Sequence, residues 1–323
     1  GVKCQGLDEF GRRFVLLRAA GVTVAAWCVD NPFHLISRLR APFWRDMDLF
    51  VTDDWFVRPL ADHGASRVFH LPLAATPRFF EPAPATPPGE ARDLSDKVVF
   101  VGRSEFPGKR GFFSGCLPPA YLTATAREML QTGGRPDFAW WVEKLGLVSL
   151  WPDSAVRQAG CGAEEAGRTR RAAVLMALSR ELELAVYGDG RWAELLPGQA
   201  CRGPLDYYGA LASVYAAAGI SLNVTGLLLP HGLTQRHFDV WAAGGFLVSD
   251  DTPGLGVFPR ELTRELVFSR PDEAVTLCRR LFSDPALRAD LTRAWRREIA
   301  ARHTYDVRVA DMLTRLALRP GPG

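Results

Sequence analysis

Two successions of short apolar strands alternating with helices, parted by a proline-rich stretch, predict an α/β protein of two Rossmann-like domains facing a cleft, the first of them incomplete. The first succession is VTVAAWCVD (22–30), MDLFVT (47–52) and RVFHL (67–71); the second runs KVVFV (97–101), ELAVY (183–187), ISLNV (220–224) and FLVS (246–249). Most of these runs are continuously apolar rather than alternating, the pattern of parallel strands covered on both faces. Between them, residues 74–96 hold five prolines and show no periodicity, which reads as a linker. The expected division is a partial first domain over 1–80, a linker over 81–96, a second domain over 97–301 and a terminal helix over 302–323.

Taken in order, residues 6–20 place Phe10, Phe14, Leu16 and Leu17 at helical spacing, and a helix packing on the first sheet is expected there. The strand that follows ends in Asp30-Asn31-Pro32, where Asp30 at a strand tip fits the residue that fixes the turn and is also the candidate general base. Residues 55–63 read as a helix between the second and third strands. The chain starts with Gly rather than Met, and a truncated first domain is expected from that start. In the second domain, Gly102-Arg103-Ser104 directly follows the first strand, the position of a phosphate loop in a Rossmann-like unit. Lys109 and Arg110 are close enough in sequence to reach phosphate oxygens, although a solvated basic turn accounts for them as well. Helices are predicted over 120–130, 138–145, 163–182, 207–218, 272–282, 285–301 and 307–318, with a last strand over 265–268.

The chain is organised around residues 223–251. A buried strand leads into a glycine- and proline-broken loop (226–232), a short helix (235–243), a glycine pair and another buried strand (246–249). Thr234 is the expected N-cap, and Gly244 stands where a helix ending at Ala243 calls for a left-handed residue. The helix start is then aimed at the crevice over the strand tips, where anionic groups settle in open parallel sheets. In this helix Phe238, Trp241 and the alanines form an apolar face and leave two polar residues, Arg236 and Asp239. A guanidinium suits phosphate and a carboxylate accepts from a ribose diol, so one element can hold both parts of a nucleotide. Asn223, Gly244 and Gly245 complete the expected nucleotide-binding set together with Gly102, Arg103, Ser104, Lys109, Arg110 and Gly188, and Gly244-Gly245 is expected to let the backbone approach the ligand.

Composition narrows the classes. A net charge of +3, with no basic run interleaved with aromatics, gives no footprint for nucleic acid. The six cysteines are scattered without a C-x-x-C pair, which argues against a zinc ribbon or a disulfide framework and makes a reducing cytoplasm the default. No stretch approaches the roughly 20 apolar residues of a membrane span.

The run 223–251 resembles the donor-binding segment of GT-B glycosyltransferases, most closely the CgeB-like (spore maturation protein CgeB) branch. Other segments support the likeness. VDNP (29–32) and HLPLA (70–74) resemble the WxVDxP and yLPLA strand ends of that branch, YGDGRW (187–192) its yG..W turn, residues 207–223 its "Yy.eL...Y..a.i.LN" pattern, and HTY (303–305) its terminal "eHTy..R...ll". The resemblance is strongest over 205–251 and weak over 116–168. It implies transfer of a sugar from a nucleoside-diphosphate sugar, as co-substrate rather than cofactor, to a glycan, protein or lipid-linked acceptor. It also implies a first domain on the acceptor side, with His34 near the acceptor. Many retaining relatives carry two glutamates in an E-x7-E pattern; the matching positions here are His231 and Asp239, so the second keeps its acceptor chemistry and the first departs from it. Asp30 and His231 are accordingly the candidate catalytic residues.

Competing chemistries fare less well. Asp46-Met47-Asp48 has the letters of a metal-binding D-x-D, but it precedes a strand rather than ending one, so no metal is expected. Neither a G-x-G-x-x-G dinucleotide loop nor a G-x-S-x-G elbow occurs where a dehydrogenase or hydrolase needs it. The serious alternative is a chain that binds a nucleotide sugar, or assembles on a surface layer or spore coat, without turnover.

Overall fold

The computed structural model describes residues 6–82, 88–152 and 154–317. It contains two parallel sheets. The first has strands β1 (Ala25–Cys28), β2 (Asp48–Val51) and β3 (Arg67–His70) in the order β1-β2-β3. The second has β4 (Val98–Val101), β5 (Leu184–Tyr187), β6 (Cys201–Arg202), β7 (Ile220–Asn223), β8 (Leu247–Asp250) and β9 (Val267–Phe268), all parallel, in the order β6-β5-β4-β7-β8-β9. Counted within its own lobe this is 3-2-1-4-5-6, the doubly wound order whose reversal lies between β4 and β7. Strands β4, β5, β7 and β8 are buried almost throughout, which accounts for their continuous apolar sequences. The two-residue strand β6 has no apolar run and gave no sequence signal.

The cores do not divide where the sheets do. Leu122, Phe138, Trp141, Trp151, Val156, Ala159 and Ala163 all pack with Phe33, Trp44, Leu49 and Phe56 of the first lobe, although each lies between β4 and β5 of the second sheet. The helix Val156–Ser179 starts seven residues before its expected start at 163 and has 24 residues. Its first half lies in this core, while Val174, Leu175 and Leu178 lie in the core of the second sheet. At its 1.5 Å rise per residue it spans about 36 Å. Gly162 fits because Trp141 lies where its side chain would be, 2.4 Å from an ideal Cβ.

The proline-rich stretch is docked on both sides of residues 83–87, which fall outside the described residues. Phe79 is buried against Tyr207 and Tyr215, and Ala91 and Leu94 lie in a small core with Val99 and Tyr187. The terminal helix Tyr305–Ala317 lies along β3: Arg67 Nη2 donates to Arg315 O at 2.6 Å, Arg308 Nε to Pro72 O at 3.0 Å, and Ala75 bridges Thr304. The amino-terminal helix Arg12–Ala19 departs from expectation, since only Phe14 is buried and Phe10, Val15 and Leu16 are exposed. No described helix is long and apolar enough to cross a membrane.

Candidate functional site at the lobe junction

At the order reversal, Arg236 spans the tips of the two strands. Its Nε donates to Asn223 Oδ1 at 2.9 Å on β7, its Nη1 donates to Val101 O at the end of β4, and its head group lies over the Phe100 ring. Burial lowers the Arg236 pKa, and the neighbouring Arg171 charge acts in the same direction. Asn223 is fully buried and fully engaged: Oδ1 also accepts from Thr234 Oγ1 at 2.8 Å, and Nδ2 donates to Ser249 Oγ at 3.0 Å and Thr225 Oγ1 at 3.1 Å. It therefore positions Arg236, with no amide group left over for a ligand. Thr234 likewise spends its hydroxyl on Asn223 and is not the helix cap; the helix runs Arg236–Ala242 and begins after Gln235. The N–H groups of His237 and Phe238 already bond to Thr234 O and Gln235 O, so the helix start presents fewer open donors than expected.

Gly102, Ser104 and Gly188 do converge beside Arg236. An ideal Cβ on Gly188 would stand 2.3 Å from Gly102 O, so only glycine lets the turn after β5 close on the turn after β4. Asp189 then accepts from Ser104 N and Ser104 Oγ, both at 2.8 Å. Burial opposes the Asp189 charge, but these bonds outweigh it and its pKa is lowered. Arg103 is exposed on the same loop.

Asp239 lies one helical turn on, 1% exposed, with neutral partners only: Tyr207 Oη donates at 2.9 Å and Gln235 Nε2 at 2.9 Å. Burial dominates and lifts its pKa to about 7. Gln235 also donates to Ala74 O at 2.6 Å and accepts from Tyr305 Oη at 3.1 Å, which ties this carboxyl to the crossing from the first lobe and to the terminal helix. The contrast is Asp250 at the tip of β8, 0% exposed, whose Oδ2 accepts from Arg170 at 2.6 Å and Arg135 at 2.8 Å while Thr225 N donates to Oδ1 at 2.7 Å. Burial raises its pKa, but the two guanidiniums prevail and hold it at about 2. Sequence reading missed Tyr207, Gln235, Asp250 and Arg170, because their partners are 32 to 115 residues away along the chain or, for Gln235, bound as backbone.

The loop between β7 and this helix meets first-lobe residues that follow β1 and β2. His231 N donates to Asp53 Oδ2 at 2.9 Å, His231 Nδ1 lies 2.9 Å from Asp54 Oδ1, and Asn31 Nδ2 donates to Leu228 O at 3.2 Å. Burial raises Asp53 to about 6 despite its backbone bonds. Asp53, Asp54 and His231 bring ligand atoms within 4.8 Å of one another, a spacing that could hold a metal ion.

Several expected site residues lie elsewhere. Gly244 (φ 78°) and Gly245 end the helix at its far side, with Gly245 against Tyr215 O, so they serve the helix-to-β8 turn at the opposite end of the strands from their tips. Lys109 is buried with Nζ 2.6 Å from Glu165 and 3.3 Å from Glu105, and Arg110 is exposed beside it; neither touches Arg236. His34 is packed between Phe112, Phe113 and Phe138, and burial lowers its pKa to about 4. Asp30 is exposed beyond β1. Asp48 of the D-x-D letters begins β2, paired with Arg67 at 3.1 Å, at the opposite end of the strand from the junction.

The chain superposes on a sucrose-phosphate synthase from Thermosynechococcus elongatus with a TM-score of 0.52, at 13% identity, over 94% of this chain and 70% of that one. The fold is the GT-B fold. TarM (TM-score 0.49, 11% identity, 91% of this chain and 50% of that one) and a glycosyltransferase from Rickettsia africae ESF-5 (0.48, 10%, 93% and 77%) are also similar but add no weight at these scores. A family model described as glycosyl transferase-like matches residues 168–314, somewhat under half of the chain. No curated protein matches. The matched part holds β5 to β9, Arg236, Asp239 and most of the terminal helix, and it leaves out β4 and the first lobe.

Proposed function

We propose that this chain is a CgeB-like glycosyltransferase that moves a sugar from a nucleoside-diphosphate sugar to a glycan, protein or lipid-linked acceptor. The observation that carries the reading is Arg236, a guanidinium bridging the tips of β4 and β7 where the strand order reverses. Open parallel sheets bind nucleotides at that point, and arginine presents a planar fork of donors to phosphate. Neutralising the leaving diphosphate then falls to fixed guanidiniums and needs no divalent cation. Asp239 is the acceptor for the ribose diol, exchanging Tyr207 for the sugar hydroxyls. Asp30 and His231 are the candidates for chemistry at the acceptor side.

A second reading, nucleotide-sugar binding without turnover, is favoured by one observation: His231 is committed to Asp53 and Asp54 of the other lobe. Calorimetric titration with UDP, GDP, ADP and TDP, with and without EDTA, tests the shared part. At least one should bind in the presence of EDTA, and Arg236→Ala should weaken it tenfold or more; no binding of any sinks both readings. Release of free nucleotide from a pool of sugar donors, followed by mass spectrometry, separates the enzyme from the binder.

A further inference from the structure

We propose that Arg171, on the long helix Val156–Ser179, is a second ligand for the diphosphate, standing across the Gly102–Ser104 loop from Arg236. The proposal rests on the nucleotide reading above. The two arginines hold opposite ends of the same short loop: Arg236 Nη1 donates to Val101 O, and Arg171 Nη2 donates to Ser104 O at 2.9 Å. Arg171 is 7% exposed, yet its Nε is buried with no hydrogen-bond partner, and among the described residues Nη1 has none either. Its one carboxylate partner among the described residues, Glu164, is 3.5 Å from Nη2, the arm already engaged, and burial raises the Glu164 pKa despite the Arg171 charge. A buried guanidinium with unspent donors is costly unless something completes it.

The space in front of those donors is suited to an oxyanion. An ideal Cβ on Gly226 meets nothing within 4 Å except Arg171 Nη1, at 3.9 Å, so the backbone there leaves room in front of the guanidinium. Leu227 is 0% exposed and its N–H makes no hydrogen bond among the described residues; it lies 3.4 Å from an ideal Cβ on Gly167, whose next neighbour is Arg171 Nη1 at 3.6 Å. A buried N–H without a partner, beside two unspent guanidinium nitrogens, is the donor set an oxyanion requires. Two arginines near each other at this loop also match the two charged phosphates of a diphosphate better than one.

The test is calorimetric titration of inorganic pyrophosphate, the four nucleoside diphosphates and the corresponding nucleosides against wild type, Arg171→Ala and Arg171→Lys, with melting curves to show that each variant is folded. Arg171→Ala should weaken pyrophosphate and the nucleoside diphosphate tenfold or more and leave the nucleoside unchanged; Arg171→Lys, which keeps the charge but not the fork, should fall between. Equal affinity in wild type and folded variants overturns the assignment while the nucleotide reading stands, as does an equal loss for nucleoside and diphosphate, which marks a purely structural residue. Pyrophosphate binding that needs Arg171, without nucleotide binding, keeps the anion site and ends the nucleotide reading. If neither ligand binds wild type, both fall.

Discussion

Asp239 and Asp250 are both excluded from water, sit near the tips of the same sheet, and have opposite electrostatic fates. Asp250 meets two guanidiniums and stays ionised to about pH 2; Asp239 meets a phenol and an amide and holds its proton up to about pH 7. Burial is common to both, so the difference is made by the charge of the partner. One carboxylate is structural, locked into a network that fixes Asn223 and Thr225. The other is held only by neutral donors, the Tyr207 phenol and the Gln235 amide, which the proposed ribose contact would replace.

Breaking Asp250 should have the largest effect. Asp250→Asn leaves Arg170 and Arg135 buried without their counter-charge, and a loss of about 3–5 kcal/mol is expected in chemical denaturation. Next comes Asp239→Asn. Because the folded pKa of Asp239 is above its unfolded value, the wild-type contribution is full below about pH 4 and is lost as pH rises towards 7. The variant should therefore gain on wild type across that window, by on the order of 2–4 kcal/mol at pH 8, because each tenfold change in proton affinity is worth about 1.4 kcal/mol. Asp250 has the reverse sign: its contribution is present above about pH 4 and is lost as pH falls through about 2. Tyr207→Phe should cost about 1 kcal/mol and move the Asp239 midpoint further up, followed by carboxyl titration in NMR spectra. The smallest effect is expected at the part-exposed lobe-to-lobe pair, where Asp54→Ala should change stability by no more than about 0.5–1 kcal/mol.

Much of the framework was legible because it depends on local patterns. Apolar runs located all the strands except two-residue β6, and the strand-loop-helix punctuation around Asn223 located the short helix that carries Arg236 at its start. What failed depends on distance. Lys109 looked like a phosphate ligand until Glu165, 56 residues on, was found to hold it; His34 looked like an acceptor-side group until three phenylalanines were found around it. Gly244 is the expected left-handed helix stop, but the local pattern does not say which end of the strands that stop faces, and the Gly244-Gly245 pair lies away from the strand tips. The division between lobes failed for the same reason, since residues 122–166 follow β4 in sequence and join the other core in space.

That shared stretch bears on how the molecule moves and melts. With one end of Val156–Ser179 anchored in each core, and the last helix strapped to β3, the lobes are joined by an axle and a brace as well as a tether. Wide clamshell opening would have to bend a continuous helix, so domain adjustment should take the form of small twists about it. Heating should then produce a single transition, whereas two lobes tethered only by a proline-rich stretch would come apart in turn.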